Sequence, residues 1–303
     1  MADAFHEIEL DSASEAVQEI YKDIKFSLRF NDIPWLFRVL GEHEKFLGPA
    51  WAAIKPVLTD AFVQSADELR AESVALCTEA LGKSEFTSPL SGSDLDSEAV
   101  NLFHEVLLAH HYVNPKLILI AHALRDALAD KPPVVKSIVV MPTGRGVPLG
   151  MTPLDRVAGS DLPEHLKESG TTREIAAVPD FLSALAQRPG AASALWEKTV
   201  AALNAAEHEK ISSQLDRLTS ESVALLRRRM DLGHDELDKL GIEESEQENI
   251  REKVSAACDL YIKSQVDLAL SALAVAGAET AAMSSEEFLL RWRLPRKRAT
   301  KAR

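Results

Sequence analysis

The sequence predicts an all-α chain made of two internally duplicated helical units packed as a pseudo-two-fold dimer within one chain. Three observations carry that expectation. Ala and Leu are abundant and β-branched runs few. Apolar residues recur at spacings of three and four through most of the chain. Long stretches of the first half also return in the second at a nearly fixed distance.

The repeat is plainest where "NDIPWLFRVLGEHEKFLGPAWAAIKPVL" meets "AAVPDFLSALAQRPGAASALWEKTVAAL". Pro34 pairs with Pro179 and Trp51 with Trp196, both 145 residues apart. "ESVAL" at 72–76 returns at 221–225, and Tyr112 pairs with Tyr261, both at an offset of 149. One four-residue insertion between the two blocks reconciles the offsets.

In the first unit, "SASEAVQEIYKDIKFSL" shows helical spacing behind Ser12-x-x-Glu15, a capping-box pattern. Pro34 opens a short helix, and Pro49 stands near the start of the next. "SADELRAESVALCTEALG" is amphipathic and stops on Gly82, a residue that tolerates the left-handed conformation of a C-cap. "DSEAVNLFHEVLLAHHY" leads to Asn114-Pro115 and on to "KLILIAHALRDAL". A residue before proline is pushed out of the α region, so a break or kink is expected at Asn114. The units are expected to span residues 1–128 and 164–303. Residues 129–163 form a proline- and glycine-rich connection whose apolar "SIVVMP" suggests one short strand. The basic "RWRLPRKRATKAR" reads as a solvated tail.

The totals exclude several classes. A formal charge of −13 argues against a general nucleic-acid binder, and any anionic substrate needs a local positive field. Cys77 and Cys258 are distant from one another, so neither a disulfide framework nor a CxxC motif exists. The N-terminus "MADAFHEIEL" lacks the apolar core of a secretory signal, and "LILIAHAL" is too short to span a bilayer. A cytoplasmic protein without membrane contact is expected.

Known catalytic patterns are mostly absent. "FHEVLLAHH" begins like a zinc-protease HExxH, but Leu108 stands where the second His is required, so no metal site is expected. "PTGRGVPLG" lacks the Lys and hydroxyl of a phosphate loop and reads as a turn, and no G-x-S-x-G elbow occurs.

What stands out is Asp180 in "AAVPDFLSAL", a carboxylate directly after Pro179 inside an apolar run. An acid in the first turn of a helix is favoured by the dipole and often does nothing more. Its repeat partner, however, is Trp35: a symmetric scaffold carries an indole at one copy and a carboxylate at the other. If matching elements face each other across the pseudo-two-fold axis, that asymmetry marks a site. Asn114, Trp35, Phe37 and Tyr261 complete the candidate set. Asp can act as nucleophile or as base toward water, and Asn can orient that water.

These residues, in this order, resemble the group I 2-haloacid dehalogenases, which act on D- and L-2-haloacids. "DIPWLF", "YVNPK", "VPDF" and "LYIKSQ" carry the likeness, which extends over nearly the whole chain. The resemblance implies a cofactor-free and metal-free hydrolase acting on small 2-haloacids, possibly a homodimer. It makes Asp180 the base that activates water for direct attack with inversion, and Asn114 the residue that orients the water. Trp35, Phe37, Tyr261 and Pro179 line the pocket. An apolar pocket is expected to strengthen Asp180 as a base, and the Trp35 indole is a candidate donor to the departing halide. Pro179 has no N–H and cannot help to bind the substrate carboxylate.

Two other readings stay open. "IPWLFRVLG" is also similar to carboxymuconolactone decarboxylase and alkylhydroperoxidase-like helical folds, of which only a non-redox enzyme or ligand-binding relative suits a chain without CxxC. An interaction scaffold is the third, and it predicts no polar cluster in the central cleft.

Overall fold

The computed structural model describes residues 5–82, 97–131, 180–185 and 195–293, the last without 198, 200–201, 227–229 and 231. Its helices are α1 (Glu15–Leu28), α2 (Trp35–Leu40), α3 (Glu44–Ile54), α4 (Asp60–Leu81) and α5 (Ser97–Leu128) in the first half. The second half holds α6 (Asp180–Leu185), α7 (Ala205–Leu226), α8 (His234–Lys239), α9 (Glu244–Ala281) and α10 (Ser285–Arg293). No strand occurs among the described residues. Most of the 129–163 connection, Pro179 and the tail from 294 lie outside them.

The four long helices α4, α5, α7 and α9 all touch one another and form the centre of the molecule. The short helices pack crosswise: α2 of the first half rests against α9 of the second, and α6 of the second against α5 of the first. Helices α2 and α6 each have six residues and begin 145 apart, and α4 and α7 each have 22 residues and begin 145 apart. Yet "ESVAL" recurs at 149 within that second pair. Four residues advance a helix by only slightly more than one turn, so a four-residue shift of the sequence along helices of equal length nearly preserves the buried face.

Local chemistry explains the element bounds. In α1, Val17, Tyr21, Ile24 and Leu28 form the buried stripe. Its cap is Ser14, which accepts from the Val17 N–H, rather than the expected Ser12, whose hydroxyl bonds Glu9 O. Helix α2 is buried on every side, including Arg38. It ends at Gly41, where a Cβ would lie 2.2 Å from the Tyr21 hydroxyl. That hydroxyl donates to the Ile8 and Phe37 carbonyls and so ties α1 to α2. Gly82 closes α4 with φ at +62°, as its position predicts. No described helix is long and apolar enough to cross a membrane, and Cys77 and Cys258 are both buried and free.

Two expectations about prolines are corrected. Pro49 lies in the middle of α3 and not near its start. Helix α5 runs unbroken through Asn114 and Pro115. Pro115 deprives the His111 carbonyl of its usual helical donor, and Arg70 replaces it. The buried Arg70 Nε donates to His111 O at 3.1 Å, and its Nη2 donates to Tyr112 O at 3.1 Å. A guanidinium from α4 therefore carries α5 across the proline.

Candidate active site

Asp180 is the first residue of α6, with its side chain 10% exposed. It faces α2. One carboxylate oxygen accepts from the Trp35 backbone N–H at 2.9 Å, and the other accepts from Arg38 Nη2 at 2.8 Å. Arg38 is itself bound by Glu7 at 2.7 Å and donates to Ile33 O. Burial alone would depress the Arg38 guanidinium, but the charges of Asp180 and Glu7 outweigh it and hold its pKa above the usual value.

The sequence reading missed Arg38, and with it the electrostatics of the site. Asp180 was expected to be a poorly hydrated and therefore strong base. In the structure it accepts two hydrogen bonds, one from a backbone N–H and one from a guanidinium. The guanidinium is shared: Glu7 at 2.7 Å and Glu9 at 3.4 Å lie against the same Arg38 that holds Asp180.

Asn114 projects from α5 to α9. Its Nδ2 donates to Tyr261 O at 2.8 Å and to Gln265 Oε1 at 3.1 Å. Both amide hydrogens are thereby spent, leaving the carbonyl oxygen as what Asn114 offers elsewhere. That orientation is set from further back. His111 Nε2 donates to Ala281 O at 2.9 Å, which leaves Nδ1 as an acceptor. Burial and the Arg70 charge push the His111 pKa down to about 3, so the ring is neutral. Gln265 Nε2 donates to that Nδ1 at 3.3 Å and to Ser73 Oγ at 2.9 Å, so its Oε1 must face Asn114. His111 is a buried core residue that sets the direction of this chain.

Tyr261 lies on the same stretch of α9. Its hydroxyl accepts from the Leu36 N–H at 2.9 Å, one residue along α2 from the N–H that Asp180 takes. Burial first, and then the nearby Asp180 charge, push its pKa far above the ordinary value, so the phenol stays protonated.

Asp180, Asn114 and Tyr261 line one cavity, with Phe30, Val113, Leu117, Phe181, Leu260 and Leu268 as its apolar wall and His110 and Ser264 as its other polar members. Its volume is about 20 Å³, room for about one water. A polar cluster therefore occupies the centre, which is not what an inert scaffold predicts. The Trp35 and Phe37 side chains do not line this cavity. Trp35 packs edge-on against Phe5 with centroids 5.4 Å apart, and Phe37 against Trp51 at 5.6 Å. Trp35 enters the site through its backbone. In a wider cleft beside Tyr112 and Lys116, Asp67 is engaged with Arg70 and Ser285, and Glu287 with Ser284.

Residues 32–169 match the family model described as halocarboxylic acid dehydrogenase DehI. The chain is 30% identical over 153 residues to a configuration-inverting 2-haloacid dehalogenase of Alcaligenes xylosoxydans xylosoxydans, a match covering 48% of this chain and 49% of that protein. The chain thus spans about half the length of the curated relative it matches. A D-2-haloacid dehalogenase mutant solved with D-2-CPA superposes with a TM-score of 0.79 at 15% identity, covering 89% of this chain and 96% of that one. The D-2-haloacid dehalogenase complex with L-LA gives 0.80 at 16% identity over the same shares. These structures establish the all-helical fold.

Proposed function

We propose that this chain, similar to a 2-haloacid dehalogenase in sequence over about half of its length and to D-2-haloacid dehalogenases in fold over most of it, hydrolyses 2-haloalkanoic acids to 2-hydroxy acids. The observation that carries the reading is the convergence of two acceptors, the Asp180 carboxylate and the Asn114 amide, on one water-sized cavity walled by apolar side chains.

A water there donates one hydrogen to Asp180 and one to Asn114 Oδ1, which turns an oxygen lone pair toward C2 of the substrate. The new O–C2 bond forms as the carbon–halogen bond breaks. Halide leaves with the electron pair on the opposite side, and Asp180 takes the proton. Backside attack inverts C2, and no ester forms on the protein. Arg38 and the Trp35 N–H hold the Asp180 carboxylate in place, so that the water is presented in a fixed orientation. A haloacid is larger than a water, so its admission requires the cavity of about 20 Å³ to widen.

We also read the chain as a duplicated pair of units about a pseudo-two-fold axis, residues 1–128 and 164–303 joined by 129–163. The matching lengths of α2 and α6, and of α4 and α7, and the crosswise packing support it. A cytoplasmic homodimer is the accompanying inference, and sedimentation of the purified chain tests its assembly.

The test of activity is halide release from racemic 2-chloropropionate, beside Asp180→Asn, with chiral analysis of the lactate. Release lost in the variant, with inverted product, supports the reading. Full activity in the variant, or no release from chloro or bromo acids, overturns it.

A further inference from the structure

Hydroxyls on buried helices ordinarily return their proton to a carbonyl one turn back. Ser73, Thr199 and Thr219 do so, to Arg70 O, Leu195 O and Leu215 O. Thr59 caps α4, Ser285 bonds Asp67, Ser212 reaches His208 and Ser271 reaches Thr199. Ser264 is different. It is 2% exposed, its Oγ has no hydrogen-bond partner among the described residues, and it lines the cavity that holds Asp180 and Asn114. Three residues earlier on the same face of α9, the Tyr261 hydroxyl accepts from Leu36 N–H, and its own proton has no described acceptor.

The chemistry of the cavity says what such a donor is for. Asp180 only accepts, Asn114 has spent both amide hydrogens, and His110 gives its Nδ1 proton to Val106 O, leaving Nε2 an acceptor. A 2-haloacid brings a carboxylate, which accepts hydrogen bonds and is costly to bury without them. Pro179 has no N–H to offer. We infer that Ser264 is a substrate-binding residue, donating its hydroxyl proton to the carboxylate of the haloacid, with the Tyr261 hydroxyl as the second donor on the same helix face. This rests on the dehalogenase reading and names the group that reading leaves unassigned. The leaving halide is a poorer match for Ser264. Backside displacement sends the halide away from the water, whereas Ser264 adjoins Gln265, which holds the water-orienting Asn114.

Propionate supplies the carboxylate without the halogen. Calorimetric titration of the full chain and of Ser264→Ala with propionate is therefore the test, run beside steady-state turnover of 2-chloro- and 2-bromopropionate. Ser264→Ala is expected to weaken propionate by about tenfold or more, the measure of one hydrogen bond to a charged group. It should raise KM for both haloacids by a similar factor and leave kcat nearly unchanged. Its melting temperature should not fall, because the substitution removes a buried hydroxyl without a partner. Equal propionate affinity in the two proteins overturns the inference. So does a fall in kcat that is steeper for chloride than for bromide with propionate binding intact, since that assigns the hydroxyl to the leaving group. A wild-type protein that binds propionate through Ser264 but releases no halide keeps the carboxylate site and removes the dehalogenase reading.

Discussion

The Trp35 N–H donates to the Asp180 carboxylate at 2.9 Å, and the two residues stand 145 positions apart, the spacing that also separates Pro34 from Pro179 and Trp51 from Trp196. Two residues at that spacing thus meet each other directly. Because α2 and α6 begin at these positions, the carboxylate of one short helix sits on the first backbone donor of the other. An asymmetry legible in the sequence, indole against carboxylate, thus becomes a hydrogen bond between opposite halves of the chain.

Arg38 is the residue on which this contact leans. Arg38→Met leaves Asp180 and Glu7 without their cation, and breaking such a buried pair costs about 3–5 kcal/mol. Urea unfolding should show that loss, and halide release should fall with it. Arg38→Lys should not restore activity, since a single ammonium cannot reach Glu7, Ile33 O and Asp180 as the guanidinium fork does. Full activity in Arg38→Lys would show that charge alone suffices.

Much of this was readable beforehand, and the misses have physical reasons. Helical periodicity, Gly82 as a cap and the pairing of Pro34 with Pro179 are local or repeated signals, and they led to α2, α4, α6 and Asp180. The continuity of α5 was missed because its support, Arg70, lies about forty residues away in α4, where no local pattern reveals it. Arg38 had a usable signal: it is the one charge in "PWLFRVL", the same oddity that singled out Asp180. Gln265 and Ser264 had none, being ordinary polar residues on a long helix whose meaning comes from what faces them.

Gln265 should affect turnover more than binding. Gln265→Met keeps the volume but removes the acceptor that fixes Asn114, so the amide can turn its N–H groups toward the cavity. A fall in kcat of ~10–100-fold, equivalent to ~1.4–2.7 kcal/mol, with KM little changed is the expected result. Steady-state kinetics decide it: a KM effect alone would make Gln265 a packing residue.

Acid should destabilise the protein through its buried histidines. Burial, with Arg70 beside His111 and Arg125 beside His122, pushes both pKa values down to about 3. Below the ordinary value near 6.5 the unfolded chain binds protons that the folded chain refuses. Stability is therefore complete above that pH and is lost between about 6.5 and 3, with each histidine contributing up to ~1.4 kcal/mol per pH unit. Urea titrations between pH 7 and 4 measure the slope, and replacing His122 with Gln should reduce it.

The central claim is that water held by Asp180 and Asn114, and not the Asp180 oxygen itself, enters the product. A single turnover of 2-chloropropionate in ¹⁸O-water, with enzyme in excess, tests it most directly. Lactate carrying ¹⁸O from the first turnover, with no label left in the protein, is the predicted result. Unlabelled lactate, with ¹⁸O found afterwards in Asp180, would establish an ester intermediate and contradict the account.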